Sequence, residues 1–186
     1  SLEHGGFFVG EDVKARMNTS ITSFENSLAQ IKTSGANPSL LANVVVDYYG
    51  METPINQISA ISVIEGKQLL IKPYESNITK DIEKAIFAAN IGLTPQNEGN
   101  QIRINVPPLT EDRRKEYSKQ VLKMAEEAKV SIRNIRRDGN DSVKKDKTIP
   151  EDTSKDLIEK IQKETDNAIK KIDEISSAKQ KEIMKI

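Results

Sequence analysis

The sequence predicts an α+β protein, a long three-helix bundle carrying a small inserted α/β domain. Three observations predict it. Apolar residues recur at steps of three and four over three long stretches, one near the start of the chain and two in its second half. Between them, from 43 to 106, β-branched strand-like runs alternate with a single short helical pattern. The two places where the pattern changes, KTSGANP (32–38) and VPPLT (106–110), hold the glycine and prolines that end elements and stiffen connections. The bundle takes 1–33 and 108–186, the insert takes 34–107, and hinges fall near 33–38 and 105–110. Ser34, Gly35, Pro38, Pro107 and Pro108 are the hinge residues. A chain of 186 residues is long enough to bury a sizeable core in this arrangement.

The elements follow in order. Glu11 to Lys32 reads as the first helix, with Val13, Met17, Ile21, Phe24, Leu28 and Ile31 on one face and Ser, Thr, Asn, Gln and Glu opposite. Pro38 to Ala42 starts a short helical turn. NVVVDYYG (43–50) is a strand closed by glycine, and METP (51–54) connects it onward. Ile58, Ile61, Val63 and Ile64 give a second strand, Glu65-Gly66-Lys67 a tight turn, and Leu69 to Ile71 the antiparallel mate ended by Pro73. A helix starts at Ser76 or Asn77, carries Ile78, Ile82, Ala85, Ile86 and Ala89 as its stripe, and ends at Gly92. LTPQNEGN (93–100) is a polar loop, and QIRINV (101–106) is the last strand.

Thr110 to Lys147 then reads as one unbroken helix, capped by Thr110 with Glu111 and Asp112 in its first turn. Tyr117, Val121, Met124, Ala128, Ile132, Ile135, Gly139 and Val143 draw its apolar stripe. A third long helix runs from Pro150 to Ile186, with Ile158, Ile161, Thr165, Ala168, Ile172, Ile175 and Ile183 on its buried side.

Composition excludes several function classes. There is no cysteine, so disulfides, thiol nucleophiles and cysteine metal sites are ruled out. One histidine, His4, is too few for a histidine metal cluster or a Ser–His relay. Acid pairs such as Glu126–Glu127 and Asp173–Glu174 lie on solvated helix faces, where nothing shifts a pKa toward general acid–base work. The glycines are single residues at element ends and form no phosphate-binding loop. The chain reads as a non-enzyme that needs no cofactor and no metal. No apolar run approaches membrane-spanning length, and no signal-peptide pattern is present. Tyr48 and Tyr49 read as one ring against a small sheet core and one at its edge, not as a base-stacking platform.

Charge supplies the one positive signal. Lys plus Arg equal Asp plus Glu at 28 each, so net charge names no partner. Between Lys129 and Lys147, however, seven cations face three acids. At about 100° per residue, Arg114, Lys129, Arg133 and Arg136 fall on one edge of the long helix, beside its apolar stripe. Such a run is most often a solvated, salt-bridged face. Its arginine content and the scarcity of acids at i,i+4 favour a polyanion contact, tempered by Asp138 and Asp141.

The segments PPLTEDRRKEY (107–117) and SIRNIRRDGND (131–141) resemble the ribosome recycling factor family. So do NPSLLANVVVDYYG (37–50), KPYE (72–75), IEKAI (82–86), GLTP (92–95), AIKKIDEI (168–175) and KEIMKI (181–186), in order and in register from Asp12 onward. The resemblance implies a three-helix bundle and a hinged β/α/β domain set as an L. It implies a monomer that binds the post-termination ribosome and, with elongation factor G and GTP, splits the subunits and frees mRNA and tRNA. It implies a grip on 23S-type rRNA of the large ribosomal subunit by bundle cations, which here match Arg114, Arg133 and Arg136, with Lys129 and Arg137 as neighbours. A cytoplasmic location follows, or an organelle matrix after loss of a transit peptide.

One departure stands out. Where the family carries Arg-Thr-Gly-Arg-Ala at the end of the first helix, this chain has Lys32-Thr33-Ser34-Gly35-Ala36. Lys32 keeps one rRNA-binding cation and Gly35 replaces the other, so the anchor rests more on the long helix. The competing reading is a helical scaffold that binds protein helices through its bundle faces, without any ribosome function.

Overall fold

The computed structural model describes residues 2–33 and 35–185. Helix α1 (Leu2–Ala29) leads to a 3-10 turn (Pro38–Leu41), strands β1 (Val45–Tyr48) and β2 (Met51–Pro54), and a single turn α2 (Ile55–Ile58). Then come β3 (Ser59–Ile64), β4 (Gln68–Pro73), a second 3-10 turn (Ser76–Ile78) running into α3 (Thr79–Ala88), β5 (Pro95–Asn97) and β6 (Ile102–Asn105). The long helices α4 (Glu111–Lys145) and α5 (Glu151–Met184) close the chain. Two compact units result, one of Ser1–Thr33 with Thr110–Lys185 and the other of Ser34–Leu109.

The first unit is the three long helices. The Thr110 hydroxyl accepts the Arg113 N–H at 3.2 Å and caps α4. Glu111 and Asp112 in its first turn and Lys144 and Lys145 in its last complement the helix dipole. α4 runs antiparallel to both neighbours. Ser20 and Ser131 share a hydrogen bond of 2.9 Å on the α1 side, and the Gln180 amide donates to the Ser118 carbonyl at 2.9 Å on the α5 side. Val13, Met17, Ile21, Phe24, Leu28 and Ile31 of α1 and its following turn meet Val121, Ala125, Ala128, Ile132, Ile135 and Val143 of α4 and Ile161, Ala168, Ile172 and Ile183 of α5. Thr165 is buried on the same line and donates its hydroxyl to the Ile161 carbonyl at 2.8 Å. Gly139 is a point of close packing, since a Cβ there would lie 2.6 Å from Cγ2 of Val13 and 3.3 Å from Cδ1 of Ile161.

The second unit holds a β1–β2 hairpin and a four-stranded antiparallel sheet in the order β3-β4-β6-β5. Leu69 and Ile71 of β4 and Ile102 and Ile104 of β6 are fully buried with Ile82 and Ile86 of α3. The β1–β2 turn places Tyr49 and Gly50 at φ 51° and 85°, the two positive values a type I′ turn requires. Glu75 takes the hydroxyl of Tyr48 at 2.6 Å and that of Tyr49 at 3.1 Å, which holds the hairpin tip despite a non-glycine residue in the left-handed region. Tyr48 packs against the core and Tyr49 is exposed, as the sequence predicts.

Several predicted boundaries shift. α1 begins at Leu2, not Glu11, and ends at Ala29, after which Gln30 and Ile31 bond in 3-10 fashion to Ser27 and Leu28. METP (51–54) is a strand, because β1 supplies its ladder bonds whatever its weak propensity. Ile58 belongs to α2, not to a strand: with Pro54 ahead of the turn, Ile55 and Ile58 bury together at i,i+3. The loop at 93–100 contains the edge strand β5, anchored by a buried Pro95. α3 starts after a 3-10 turn and stops at Ala88, with Asn90 as well as Gly92 at positive φ. α4 stops at Lys145 and α5 at Met184, short of the predicted ends. Ala125 joins the stripe of α4 as a fully packed position, while Tyr117 and Met124 are only half-buried.

The sequence entering and leaving the second unit is fixed at one place. The Ala36 N–H donates to the Gly66 carbonyl and the Val106 N–H to the Lys67 carbonyl, both at 2.9 Å. Gly35 has φ 100°, and a Cβ there would approach the Gly66 carbonyl oxygen to 3.2 Å. Pro38 sits inside the unit, opening a 3-10 turn that Asn37 caps by accepting the Ser39 N–H at 2.9 Å. Pro107 and Pro108 are exposed and lie in no helix or strand, and Ser34 lies outside the described residues.

Overpacking follows from the Gly139 contact. Gly139→Val is expected to lower stability by about 1–3 kcal/mol, since Val13 and Ile161 must move. Adding Val13→Ala should return part of that loss, so the two changes should couple rather than add in urea unfolding.

Candidate nucleic-acid interface

The apolar stripe of α4 divides its solvent-facing surface into two flanks. Ser131 and Asp138 mark the flank toward α1, through Ser20 and Arg16. Lys129 marks the flank toward α5, through Asp173. At about 100° per residue, Arg133 and Arg136 fall within about 40° of Lys129, and Arg137 faces outward between the flanks. Arg133, Arg136 and Arg137 therefore form one cluster on about a turn of helix. Arg114 shares the flank but stands 19 positions earlier, roughly 28 Å away at ~1.5 Å per residue. The predicted strip is thus a cluster and an outlier. Lys32 is exposed just beyond the end of α1.

Pairing separates these cations further. Lys129 Nζ sits 2.5 Å from Asp173 and 3.6 Å from Glu126, with its side chain 16% exposed. The hydrogen bond to Asp173 holds the ammonium pKa above its usual 10.5, helped by the charges of Asp173 and Glu126 and opposed by burial. This lysine is a tie between α4 and α5. Among the described residues no carboxylate lies within 4.0 Å of Arg114, Arg133, Arg136, Arg137 or Lys32. Arg137 reaches only Asn134, donating to Oδ1 at 3.5 Å. Asp138, the acid that follows Arg137 in sequence, pairs instead with Arg16 of α1 at 3.2 Å.

Arg133 and Arg136 are half-buried, their stems against the helices and their charges without an acid. Arg114 is half-buried as well, with Nε enclosed and without a hydrogen-bond partner. Asn140, one turn past Arg136, has an enclosed Oδ1 in the same state. Planar guanidinium forks left unpaired on a rigid helix suit phosphate oxygens, which they bind in pairs. Arg16, Asn134 and Asn140 were not legible as neighbours of this cluster. Arg16 lies on another helix, and only the antiparallel register that sets Val13 beside Gly139 could have brought it here.

The family model described as Ribosome recycling factor matches residues 24–184. The chain is 49% identical over 181 residues to the ribosome-recycling factor of Bacillus licheniformis, covering 96% of this chain and 98% of the relative. It is 51% identical over 179 residues to that of Staphylococcus haemolyticus, covering 95% and 97%. A solution structure of the ribosome recycling factor superposes with a TM-score of 0.78 at 36% identity, covering 97% of this chain and 98% of that one. Models for the T. thermophilus ribosome recycling factor and the E. coli elongation factor G bound to the E. coli post-termination complex give a TM-score of 0.60 at 38% identity, covering 99% of both chains.

The lysine tie has a pH signature. A raised ammonium pKa contributes stability that is fully present below the unfolded value near 10.5 and is lost as pH climbs through the folded value. Lys129→Met should cost up to about 1 kcal/mol near neutral pH, the range of a partly exposed pair. In urea unfolding, the gap between wild type and variant should hold through mildly alkaline pH and narrow above 10.5.

Proposed function

This chain belongs to the ribosome recycling factor family, and from that premise we propose that it recycles post-termination ribosomes. It binds the large subunit through rRNA and, with elongation factor G and GTP, separates the subunits and releases mRNA and tRNA. Its own part is binding and transmission of force; the GTP is hydrolysed by the elongation factor. The bacterial relatives support a cytoplasmic setting.

The observation that carries the rRNA reading is the arginine cluster of α4, whose guanidiniums have no carboxylate within 4.0 Å among the described residues. Arg133, Arg136 and Arg137 supply the central grip, Arg114 a second contact further along the rod, and Lys32 a peripheral one. Lys129 contributes through the alignment of α4 on α5. The 35 residues of α4 span roughly 52 Å at ~1.5 Å each, a stiff lever on which the grip is fixed. The hinge reading narrows to the chain outside the two backbone bonds at Gly66 and Lys67, namely Thr33 to Gly35 and Pro107 to Leu109. Pro38 lies inboard of that point.

Arg136→Ala should reduce affinity for 50S subunits and slow splitting of post-termination ribosomes on sucrose gradients with elongation factor G and GTP. Thermal stability should stay nearly unchanged, because the guanidinium has no partner to lose. The slope of log affinity against log salt should fall by about 0.7–0.9 for each phosphate contact removed. Unaltered affinity and slope would refute the arginine grip.

A further inference from the structure

Three side-chain atoms among the described residues are enclosed without a hydrogen-bond partner: Nε of Arg114, Oδ1 of Asn140 and Oε2 of Glu164. Two of them belong to charged groups that have other outlets. The Arg114 guanidinium carries two further nitrogens. Burial raises the Glu164 pKa, and the charges of Lys160 and Lys14 work against that rise. Asn140 is neutral and has neither. It follows Gly139, where Ile161 of α5 comes close to α4. An enclosed acceptor without a donor destabilises a fold, and asparagine is a poorer helix former than alanine or leucine. Among the described residues nothing offsets either effect. Only Oδ1 is enclosed, so the amide turns its N–H end outward.

Helix phase puts that N–H end with the arginines. At about 100° per residue, Asn140 lies within about 20° of Arg133 and about 40° of Arg136. It shares the flank that the Lys129 tie to Asp173 identifies as facing α5. The acids of this stretch of α4 lie on other faces. Asp138 is about 160° from Asn140, on the α1 flank, and Asp141 is about 100° away, on the outward face it shares with Arg137. On α5, Asp166 stands about 20° in phase from Asp173 and so faces the same groove. It accepts the Gln162 amide at 2.9 Å. From Arg133 to Asn140, roughly 10 Å along the axis, this flank of α4 presents donors: two guanidinium forks and one amide.

We propose that Asn140 is a further rRNA-binding residue, whose amide N–H donates to a phosphate oxygen next to those held by Arg133 and Arg136. This rests on the reading that the α4 arginines grip rRNA. Asparagine is among the side chains that contact nucleic-acid phosphates, and such contacts fix register rather than sequence. The amide carries no charge and displaces no counterion. The arginines therefore set how binding depends on salt, and Asn140 adds an increment that is independent of salt.

The test measures affinity of the full chain for 50S subunits across a salt series, with Arg136→Ala in parallel and urea unfolding of every variant. Asn140→Ala is expected to bind roughly three- to tenfold more weakly, the weight of one hydrogen bond. The loss should be the same at every salt concentration, so the slope of log affinity against log salt stays at the wild-type value, whereas Arg136→Ala lowers it. Stability of Asn140→Ala should equal or exceed that of wild type, because an orphan acceptor is removed. Asn140→Asp should bind more weakly than Asn140→Ala at low salt, since its carboxylate faces a phosphate, and the gap should close as salt rises. If Asn140→Ala binds like wild type while Arg136→Ala is weakened, the proposal is overturned and the grip stands. A loss of stability or a lowered salt slope in Asn140→Ala means that the residue acts through the helix or the arginines, and overturns the direct contact. Asn140→Asp binding as well as wild type rules out a phosphate partner and overturns it too. If Arg136→Ala binds normally, the grip falls and the proposal falls with it. Should Asn140→Ala fail to fold, Asn140→Leu, which keeps the volume, carries the comparison.

Discussion

The helical unit depends on how closely three helices can approach at Gly139. A helix of ordinary length is marginal in water by itself, and α1, α4 and α5 persist because each buries a stripe against the other two. A buried Ile or Val contributes about 1.5–3 kcal/mol by leaving water, but only where the surfaces meet without gaps. The missing side chain at Gly139 lets Val13 of α1 and Ile161 of α5 converge on one spot of α4. A glycine inside a helix costs roughly 0.5–1 kcal/mol relative to alanine, and here the contact it permits offsets that cost. The same closeness brings short and medium side chains from different helices within bonding reach, including Ser20 with Ser131 and Arg16 with Asp138.

Electrostatics in this protein is a matter of placement rather than sum. Charged residues make up 30% of the chain and cancel overall. At physiological ionic strength a charge is screened over about 8 Å, so a polyanion meets only the local pattern. Part of that pattern is set by which acids are paired. Asp173 is tied to Lys129 and Asp138 to Arg16, which removes two acids and two cations from play. The arginines of one helical turn are left over. A chain of zero net charge can thus present a positive face without an excess of basic residues.

The fold class was legible because long, strict periodicities are hard to mistake. Three stripes at three- and four-residue steps correspond to the three long helices, and Ile102 and Ile104 mark the last strand as their alternation predicts. What was not legible was structure imposed from outside a segment. Met51 to Pro54 and Pro95 to Asn97 have weak strand character and become strands because a partner offers them a ladder. Ile58 has strand propensity and takes a helical turn because Pro54 and Ile55 fix the geometry ahead of it. The arginines could be picked out along the sequence, but not their pairing. Spacing along one helix groups Lys129 with Arg133, whereas contacts between helices set them apart.

The two hydrogen bonds at Gly66 and Lys67 have a topological meaning. The second unit receives the chain and returns it at adjacent residues of a single turn, so its entrance and exit lie side by side. To the helical unit, the whole stretch between Thr33 and Thr110 is a loop whose ends are already joined. Closing a loop of that length as a flexible chain carries an entropy cost that grows with the logarithm of its length, and a folded insert with neighbouring ends has met that cost within itself. The insert can therefore change in size or sequence without altering what α1 and α4 must satisfy, provided that this one turn keeps its two carbonyls facing the connections.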